Sequence, residues 1–327
     1  MDRINRQIVH CLQRDGRASF RRIADVLDVS EQTVARRYRT LHDGGALRVM
    51  VLPDARARGG QTWFARVQCR PDAADALAAA LAVRADVSWV SVASGGSEIS
   101  CVIRTSSAAA RHSVLLDRLP RASQVLSFSA CTVLHMHIGG EAEWLAFDDP
   151  LTEEQVARLA SDVVRAPRAT ITPLRDDDGP LLAELARDGR SGVVALARAT
   201  GWPQARVSAR LDELLRSGAA HVEVDLAPEQ FGFHSSAYLW LAVAPGDLHA
   251  AGEALSRHPE TSFAAAVTGA TNLLTVVTCR DSEELYHYVT TKVGALPAVR
   301  HAEVVPVLRR VKQAGTHIKD GRLVIGR

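Results

Sequence analysis

The stretch SEQTVARRYRTL at residues 30–41 has two contrasting faces when it is read at helical spacing. Val34, Tyr38 and Leu41 recur at intervals of three or four residues, which predicts a helix with one face packed against a core. Ser30 stands where an N-cap residue begins such a helix. The opposite face carries Gln32, Arg36, Arg39 and Thr40. This outward face is a candidate binding surface.

The flanking segments predict two more helices and a strand. Ile4, Ile8 and Leu12 share one face of a first helix, and FRRIADVLDV at residues 20–29 predicts a second. Two short helices joined by a tight break form a helix-turn-helix. Residues 46–54, ALRVMVLPD, alternate in polarity and predict a strand after the third helix. Together these elements predict a winged helix-turn-helix.

The chain repeats itself at a fixed offset. RDGR occurs at Arg14–Arg17 and again at Arg187–Arg190, 173 residues later. At the same offset, SEQTVARRYRTLHDGGAL lies over PQARVSARLDELLRSGAA. Self-similarity of this kind is typical of repeated structural units. We therefore predict a tandem duplication, with units of about 1–140 and 174–310.

A sheet domain is predicted behind each helix-turn-helix. In the first copy, strand and helix patterns follow the order βαββαβ, which is typical of a ferredoxin-like domain. The predicted fold class is α+β, with two winged helix-turn-helix domains, each followed by a ferredoxin-like βαββαβ domain. The predicted boundaries are helix-turn-helix domains at 1–54 and 174–227, ferredoxin-like ligand or dimerisation domains at 60–137 and 235–310, a linker with a short helix at 138–172, and a C-terminal tail at 311–327.

Composition excludes several classes of protein. The 327 residues carry a net charge of only +2, so total charge does not identify a partner. The five cysteines are far apart and form no CxxC pair, which argues against a disulfide framework or a zinc knuckle. No apolar run approaches the roughly 20 residues of a membrane helix. We expect a cytoplasmic protein without a membrane partner.

Several motifs together resemble the Lrp/AsnC family of transcriptional regulators. They are D-x-x-[DN]-x-x-I at Asp2, Asn5 and Ile8, S-x-x-T-V-x-R-R from Ser30 to Arg37, L-x-x-G-G-x-[LI] from Leu41 to Leu47, and VTGATNLL and VLRRVK in the second half. The resemblance implies a cytoplasmic DNA-binding regulator whose sheet domain dimerises and senses a small molecule, often an amino acid. Two sheet domains in one chain could pair as an intrachain pseudo-dimer, and we also expect a homo-oligomer.

The third helix of a helix-turn-helix enters the major groove of double-stranded DNA, where arginine reads guanine and glutamine reads adenine. The predicted DNA-binding residues are Ser30, Gln32, Thr33, Arg36, Arg37, Arg39 and Thr40, with Arg206 and Arg210 on the flanks of the second copy. An ordinary solvated arginine face is the alternative interpretation.

The second helix-turn-helix departs from the first in charge. Its outward positions are Ala205, Ala209, Asp212 and Glu213. Residues 1–50 hold ten arginines and six acids, a net charge of +4, whereas residues 174–227 hold seven arginines and nine acids, a net charge of −2. Because phosphate neutralisation dominates DNA affinity, we expect the first copy to be the main reader. The second would be a weaker reader or a structural partner.

A glycine turn in each sheet domain is a candidate effector site. The resemblance implies an effector pocket at this turn, near the sheet-domain dimer interface. The predicted ligand-binding residues are Gly95, Gly96, Ser97 and Glu98 in the first copy, and Gly269, Thr271 and Asn272 in the second. The turn would offer N–H groups to a carboxylate, and Glu98 could hold an ammonium group. Alternatively, these glycines serve only the hairpin turns.

Metal and enzymatic functions are less favoured by the sequence. His135 and His137 lie two apart in a strand and could bind one metal ion, but no further ligand is evident, so we predict a surface pair. No nucleophile, catalytic triad or phosphate loop is apparent, and no cofactor is predicted. Two alternatives stay open: a siroheme-decarboxylase-like enzyme, because those enzymes resemble the same family, and a DNA-architectural protein.

Overall fold

The computed structural model describes residues 1–58, 60–105, 123–139, 144, 148–159 and 172–325. The chain divides into two compact units. One comprises Met1–Gly59, Phe147–Ala227 and Ile325–Arg327, and we call it the helical unit. The other comprises Gly60–Ala146 and Pro228–Val324, and we call it the sheet unit. The helical unit collects both predicted helix-turn-helix regions, and the sheet unit collects both predicted ferredoxin-like regions.

The α-helices and strands are numbered in chain order. The helices are α1 Arg3–Arg14, α2 Phe20–Leu27, α3 Glu31–Asp43, α4 Ala74–Ala82, α5 Glu153–Leu159, α6 Gly179–Arg187, α7 Val193–Thr200, α8 Gln204–Arg216, α9 Leu248–Ser256 and α10 Ser282–His287. The strands are β1 Leu47–Pro53, β2 Gln61–Cys69, β3 Val87–Ala93, β4 Glu98–Thr105, β5 Val125–Ile138, β6 Ala220–Leu226, β7 Ser235–Val243, β8 Thr261–Val267, β9 Leu273–Cys279, β10 Val299–Gln313, β11 Thr316–Lys319 and β12 Arg322–Leu323.

The first three helices begin at side-chain caps. Asp2, Ser19 and Ser30 each accept a hydrogen bond from a backbone N–H in the first turn of α1, α2 and α3. Such caps satisfy N–H groups that have no partner inside the helix, and each stabilises a helix by about 1 kcal/mol. The break between α2 and α3 is made by Asp28, whose φ of 54° is left-handed. The predicted helix-turn-helix over α2 and α3 is therefore present.

The helical unit contains two three-helix groups joined by strand pairing. β1 and β6 pair antiparallel from Leu47 opposite Leu226 to Pro53 opposite Ala220. Each three-helix group contributes one of these strands. The paired strands contribute Val51 and Ala220 to the apolar core beneath α6–α8.

The repeated RDGR motif makes a reciprocal contact inside the helical unit. Arg17 donates to the carbonyls of Gly189 and Ser191. Arg190 donates to Gly16 at 2.6 Å and to Ala18 at 2.7 Å. A Cβ at position 189 would lie 2.6 Å from the carbonyl carbon of Met50, so glycine is required for this close approach. Each copy of the motif therefore binds the backbone at the other copy.

Eight strands of the sheet unit close on themselves, and β11 and β12 extend the sheet beside β10. Their order is β10-β3-β4-β2-β5-β8-β9-β7, and β7 pairs with β10 again. We call β2–β5 with α4 the first lobe, and β7–β10 with α9 and α10 the second lobe. The last strand of each lobe is long: β5 pairs first with β2 and then with β8, and β10 pairs first with β7 and then with β3.

Each lobe covers one sheet face with helices and packs the other against its neighbour. Helix α4 covers a core that includes Val67 and Ile103, and α9 and α10 cover one that includes Leu239 and Tyr288. Between the lobes, Phe64 packs edge-on against Tyr238 with ring centroids 6.0 Å apart. The second face of each lobe's sheet is thus buried within the chain.

Two expectations about segments outside the domains have different outcomes. The predicted C-terminal tail at 311–327 is wrong for its first part, because β10 continues to Gln313 and is followed by β11 and β12. Lys312 is buried there and donates to the carbonyl of Arg84 at 2.7 Å. The linker helix is present as α5, with Thr152 and Gln155 forming the capping box. The helix predicted at 107–120 lies outside the described residues.

Within the described part of the chain, no helix combines the length and the apolar character that crossing a membrane would need.

Candidate DNA-binding surface and ligand sites

Helix α3 has the two faces that the sequence predicts. Val34, Tyr38 and Leu41 are buried. Gln32, Arg36, Arg39 and Thr40 are exposed on the other side. At the start of the helix, the Ser30 and Thr33 hydroxyl groups lie 2.8 Å apart, and Ser30 caps the Thr33 amide.

The two outward arginines of α3 are free to meet a ligand. Among the residues that the structure describes, neither Arg36 nor Arg39 has a carboxylate within ion-pair distance. The Arg36 backbone carbonyl accepts from the Thr40 hydroxyl at 3.1 Å, and no hydrogen bond from the Arg36 guanidinium is found among the described residues. An arginine that has no internal partner can neutralise a phosphate or read a guanine edge without first breaking an ion pair.

Arg37 and Arg210, two of the predicted DNA-binding residues, are both engaged in contacts within the protein. Arg37 donates to the carboxylate of Asp2 and, at 2.9 Å, to the side chain of Asn5 at the start of α1. Its hydrogen bond lowers the pKa of Asp2. Arg210 stands 173 positions later and donates to Asp178 at 2.8 and 2.6 Å, with only 2% of its side chain exposed. Arg37 thus connects α3 to the start of α1, and Arg210 connects α8 to the start of α6.

The remaining charged side chains on the outward side of α8 form ion pairs within the protein. Arg206 pairs with Asp177 and lies 4.0 Å over the ring of Trp202, so it is not a free side chain on the flank. Asp212 pairs with Arg216 at 3.1 Å. Glu213 pairs with Arg175 at 2.9 Å. Carboxylates thus stand where α3 has Arg39 and Thr40, which makes this face poorly suited to phosphates.

The glycine turns of the sheet unit have the backbone shape expected of them. Gly95 and Gly96 have φ values of 65° and 93°, and Gly269 has a φ of 121°, a region that disfavours other residues. The Ser97 hydroxyl donates to the Ser94 carbonyl at 2.7 Å. Thr271 is half-buried beside the second turn. Ser97 therefore stabilises its own turn, while the turn backbones of both lobes reach the surface at Gly95 and Gly269.

The polar residues that follow the turns already have partners within the protein. Glu98 is 2% exposed and receives hydrogen bonds from Arg66 at 3.0 and 2.7 Å. Arg66 also pairs with Glu303, and its hydrogen bond lowers the pKa of that carboxyl group. Asn272 bonds both the N–H and the carbonyl of Val243, each at 2.9 Å. The Glu98 carboxylate is therefore neutralised by Arg66, and Asn272 joins two strands.

A third histidine lies beside the pair that the sequence singled out. His249, on α9, brings its ring centroid to 5.6 Å from His135 and 5.4 Å from His137. The potential ligand atoms of the three side chains all lie within 4.8 Å of one another. Sequence reasoning missed His249 because it stands more than 100 residues further along the chain, with no local pattern linking it to a strand.

Comparison with known protein families identifies two kinds of domain in this chain. A model of the AsnC-type helix-turn-helix domain matches residues 1–42, and a model of the Lrp/AsnC ligand binding domain matches residues 236–316. Two segments of the chain therefore match models of Lrp/AsnC-type domains. These matches fall on α1–α3 and on the second lobe.

Half-length proteins are among the relatives. An uncharacterised HTH-type transcriptional regulator of Pyrococcus abyssi is 27% identical over 154 residues, which cover 47% of this chain and 97% of that protein. A similarly described regulator of Pyrococcus horikoshii is 25% identical over 154 residues, with the same coverage. About half of this chain thus spans nearly the whole length of these relatives.

A solved structure matches nearly the full length of this chain. The siroheme decarboxylase NirDL superposes with a TM-score of 0.63 at 12% identity, covering 95% of this chain and 92% of that one. Its complex with an iron-uroporphyrin III analogue gives a TM-score of 0.60 at 11% identity, over 90% and 86% of the two chains. At this low identity the likeness concerns the fold.

Proposed function

We propose that this chain is a DNA-binding transcriptional regulator that responds to a small molecule, with α3 as its main reading helix. One observation carries the proposal: Arg36 and Arg39 stand exposed and unpaired, among the described residues, on a helix inside the AsnC-type helix-turn-helix match. The relatives described as HTH-type transcriptional regulators and the ligand binding domain match support a DNA-binding regulator responsive to a small molecule.

The proposed asymmetry between the two reading helices follows from their partners. On α3, Gln32 and Arg36 offer the donors that read adenine and guanine in the major groove. On α8, the corresponding positions are Ala205 and Ala209, and the arginine at the adjacent flank, Arg210, is used inside the protein. A DNA phosphate approaching α8 would also meet Asp212. We infer that α8 contributes little to sequence reading.

We further propose that the chain arose by tandem duplication. We also propose that its two lobes pair as the sheet domains of two separate chains would pair in a dimer. Three features support this: the half-length relatives, the pairing of β1 with β6, and the equivalent paths of β5 and β10. Since the sheet unit pairs its two lobes internally, a single chain would satisfy the dimerisation that the resemblance implies. Assembly into a homo-oligomer and a cytoplasmic location remain predictions.

For the effector, we propose that the glycine-turn backbone, and not the polar residues after it, offers the contact. Gly95 and Gly269 are exposed, and a turn with left-handed residues can direct N–H groups at a carboxylate. Thr271 can add a hydroxyl group. An amino acid bound there would need another group for its ammonium, because Glu98 is already paired with Arg66.

The test is DNA binding by the full chain. Random duplexes would first be selected for binding at low salt, and the enriched sequence would then be titrated by fluorescence anisotropy. We expect Arg36→Ala to weaken specific binding by about 10–100-fold, the equivalent of one lost base contact. The control variant is Arg206→Ala on α8. Absence of binding to any duplex at low salt, or equal losses in the two variants, would contradict the proposal.

A second candidate function is siroheme decarboxylation, which is favoured by the full-length fold likeness to NirDL. The measurement is an absorbance titration of the purified chain with siroheme, followed by product analysis under reducing and non-reducing conditions. A saturable Soret shift with loss of substrate carboxyl groups would favour the enzyme. An unchanged spectrum, together with specific DNA binding, would leave the regulator as the function.

A further inference from the structure

The strongest unassigned feature of the sheet unit is the histidine cluster of His135, His137 and His249. His135 and His137 lie at the end of β5, and His249 lies in the first turn of α9. Ring centroids of His135 and His137 are 4.7 Å apart. The β5–β8 ladder skips position 137 between Met136 and Ile138, and such a bulge redirects a side chain. Three imidazoles from two elements therefore converge on one point.

The imidazole ring of His137 is buried and has polar nitrogen atoms that a ligand could satisfy. Its side chain is 1% exposed, and neither ring nitrogen has a hydrogen-bond partner among the described residues. An unsatisfied buried polar group costs about 1–3 kcal/mol. Burial lowers the pKa of His137, which disfavours the protonated ring. Neutral imidazole is the form that binds metal ions.

The surroundings of His137 are shaped to hold its ring. A Cβ at position 252 would overlap the imidazole of His137, so α9 carries a glycine where the ring lies against it. Next to that glycine, Glu253 places a carboxylate oxygen 3.8 Å from Nδ1 of His137. Metal-binding histidines commonly have a carboxylate close to the ring nitrogen that does not bind the metal. Glu253 is therefore placed to orient the ring.

The corresponding site of the other lobe has a different set of residues. Strand register puts Arg309 at the place of His135, since Arg309 lies opposite Val92 and His135 opposite Ala266. At the same offset of 174 residues, Asp75 replaces His249. Arg309 and Asp75 form an ion pair there.

The inner position of that corresponding site is apolar. Val311 replaces His137 at the same offset and packs in the core under α4. Ala78 replaces Gly252 there, which leaves less room beside the strand. The first lobe's helix and the last strand of the second lobe thus keep the same arrangement with the Arg309–Asp75 ion pair and Val311 at these positions. The histidines are therefore not required by the architecture, and all three positions differ together.

We propose that His135, His137 and His249 bind one divalent transition-metal ion, and so connect the last strand of the first lobe to the helix of the second. Imidazole nitrogen suits Zn²⁺, Ni²⁺, Cu²⁺ and Co²⁺. Three protein ligands leave a coordination position for water or a small anion. Small rotations of the exposed rings of His135 and His249 would bring the donor atoms to the Zn–N distance of about 2.0–2.1 Å. The proposal does not depend on DNA binding.

The experiment is a titration of the metal-free full chain with Co²⁺, monitored by visible absorbance, and with Zn²⁺, monitored by calorimetry and thermal unfolding. We expect one ion per chain and an increase in Tm, because a ligand that binds only the folded state stabilises it. His249→Asn should weaken binding about 100-fold or more, since loss of an outer partner alone costs about 10–100-fold. Glu253→Gln should weaken it by about 10-fold.

His287→Ala is the matched control, because His287 is an exposed helical histidine outside the cluster. Circular dichroism of each variant verifies that the fold is retained, and His135→Asn serves as a second ligand variant at an exposed position. Binding that survives in His287→Ala and is lost in the two ligand variants supports the site. Absence of stoichiometric binding, or equal binding in all the variants, overturns it.

Discussion

The third helices of the two helix-turn-helix groups have the same buried face and opposite exposed faces. Val34 and Val207 occupy corresponding positions in their cores, and Arg37 and Arg210 each bind the start of a first helix. Outward, α3 presents arginines with no partner among the described residues, whereas α8 presents Asp212 among internal ion pairs. Positions that hold the fold together are shared by the two groups, and positions that would meet a ligand are not.

The sheet unit repeats this lesson. The two lobes share strand order and the crossing of their last strands, yet one carries three histidines where the other carries an ion pair and a valine. In both units, each repeated structural element can be compared with its second copy. The comparison shows which residues the shared backbone arrangement does not require. A side chain that differs while its backbone position is unchanged is a candidate for function.

We expect the largest effect from the buried ion pair between Arg210 and Asp178. Arg210→Met should lower the free energy of unfolding by about 3–5 kcal/mol, because it leaves the buried Asp178 carboxylate without its partner. Arg37→Met should cost at most about 1 kcal/mol, because the partner carboxylate of Asp2 is 54% exposed. Urea denaturation of the two variants measures the difference. Equal losses would show that the two arginines are not distinguished by burial.

DNA affinity should distinguish the exposed faces. Arg36→Ala and Arg39→Ala should each weaken specific binding by about 1–3 kcal/mol if they read bases, or reduce binding to all sequences alike if they contact phosphate. Asp212→Ala, the variant at the position corresponding to Arg39, should leave affinity the same or slightly improved. Anisotropy titrations at several salt concentrations measure both. A marked loss in Asp212→Ala would reverse the proposed roles of α3 and α8.

Acid stability should depend on the same pair. Burial raises the pKa of Asp178, but hydrogen bonds from Arg210 and the Arg175 amide outweigh it, and the net pKa is lowered. A carboxyl group with a lowered folded-state pKa stabilises the protein fully above its unfolded pKa of about 3.9, and this stabilisation is lost as pH falls through the folded value. Asp178→Asn should therefore flatten the decline of stability below about pH 4. An unchanged acid limb in urea titrations would contradict this account.

The smallest effect is expected from giving α8 the charges of α3. Ala209→Arg with Asp212→Arg places arginines at the positions corresponding to Arg36 and Arg39. We expect a several-fold gain in nonspecific affinity and a steeper salt dependence, by about 0.9 in the logarithmic slope for each added phosphate contact. The matched comparison is Ala209→Gln with Asp212→Gln, which adds no positive charge. If both double variants behave alike, then α8 does not approach DNA.

The amino-acid sequence by itself determined which segments form elements and which face of each is buried. Helical spacing at Val34, Tyr38 and Leu41 and the repeated RDGR motif are local or periodic signals, so they can be read without coordinates. The outward position of Arg36 followed from the same spacing.

Only the tertiary structure decided which polar side chains already have partners. Arg37, Arg210, Glu98 and Asn272 have the residue types of binding groups, but each is used by a segment that folding brings close. The meeting of His249 with His135 and His137 has the same origin, because α9 lies beside β5 only after the lobes pair. Partnership between distant residues depends on three-dimensional packing, and neither periodicity nor residue type encodes it.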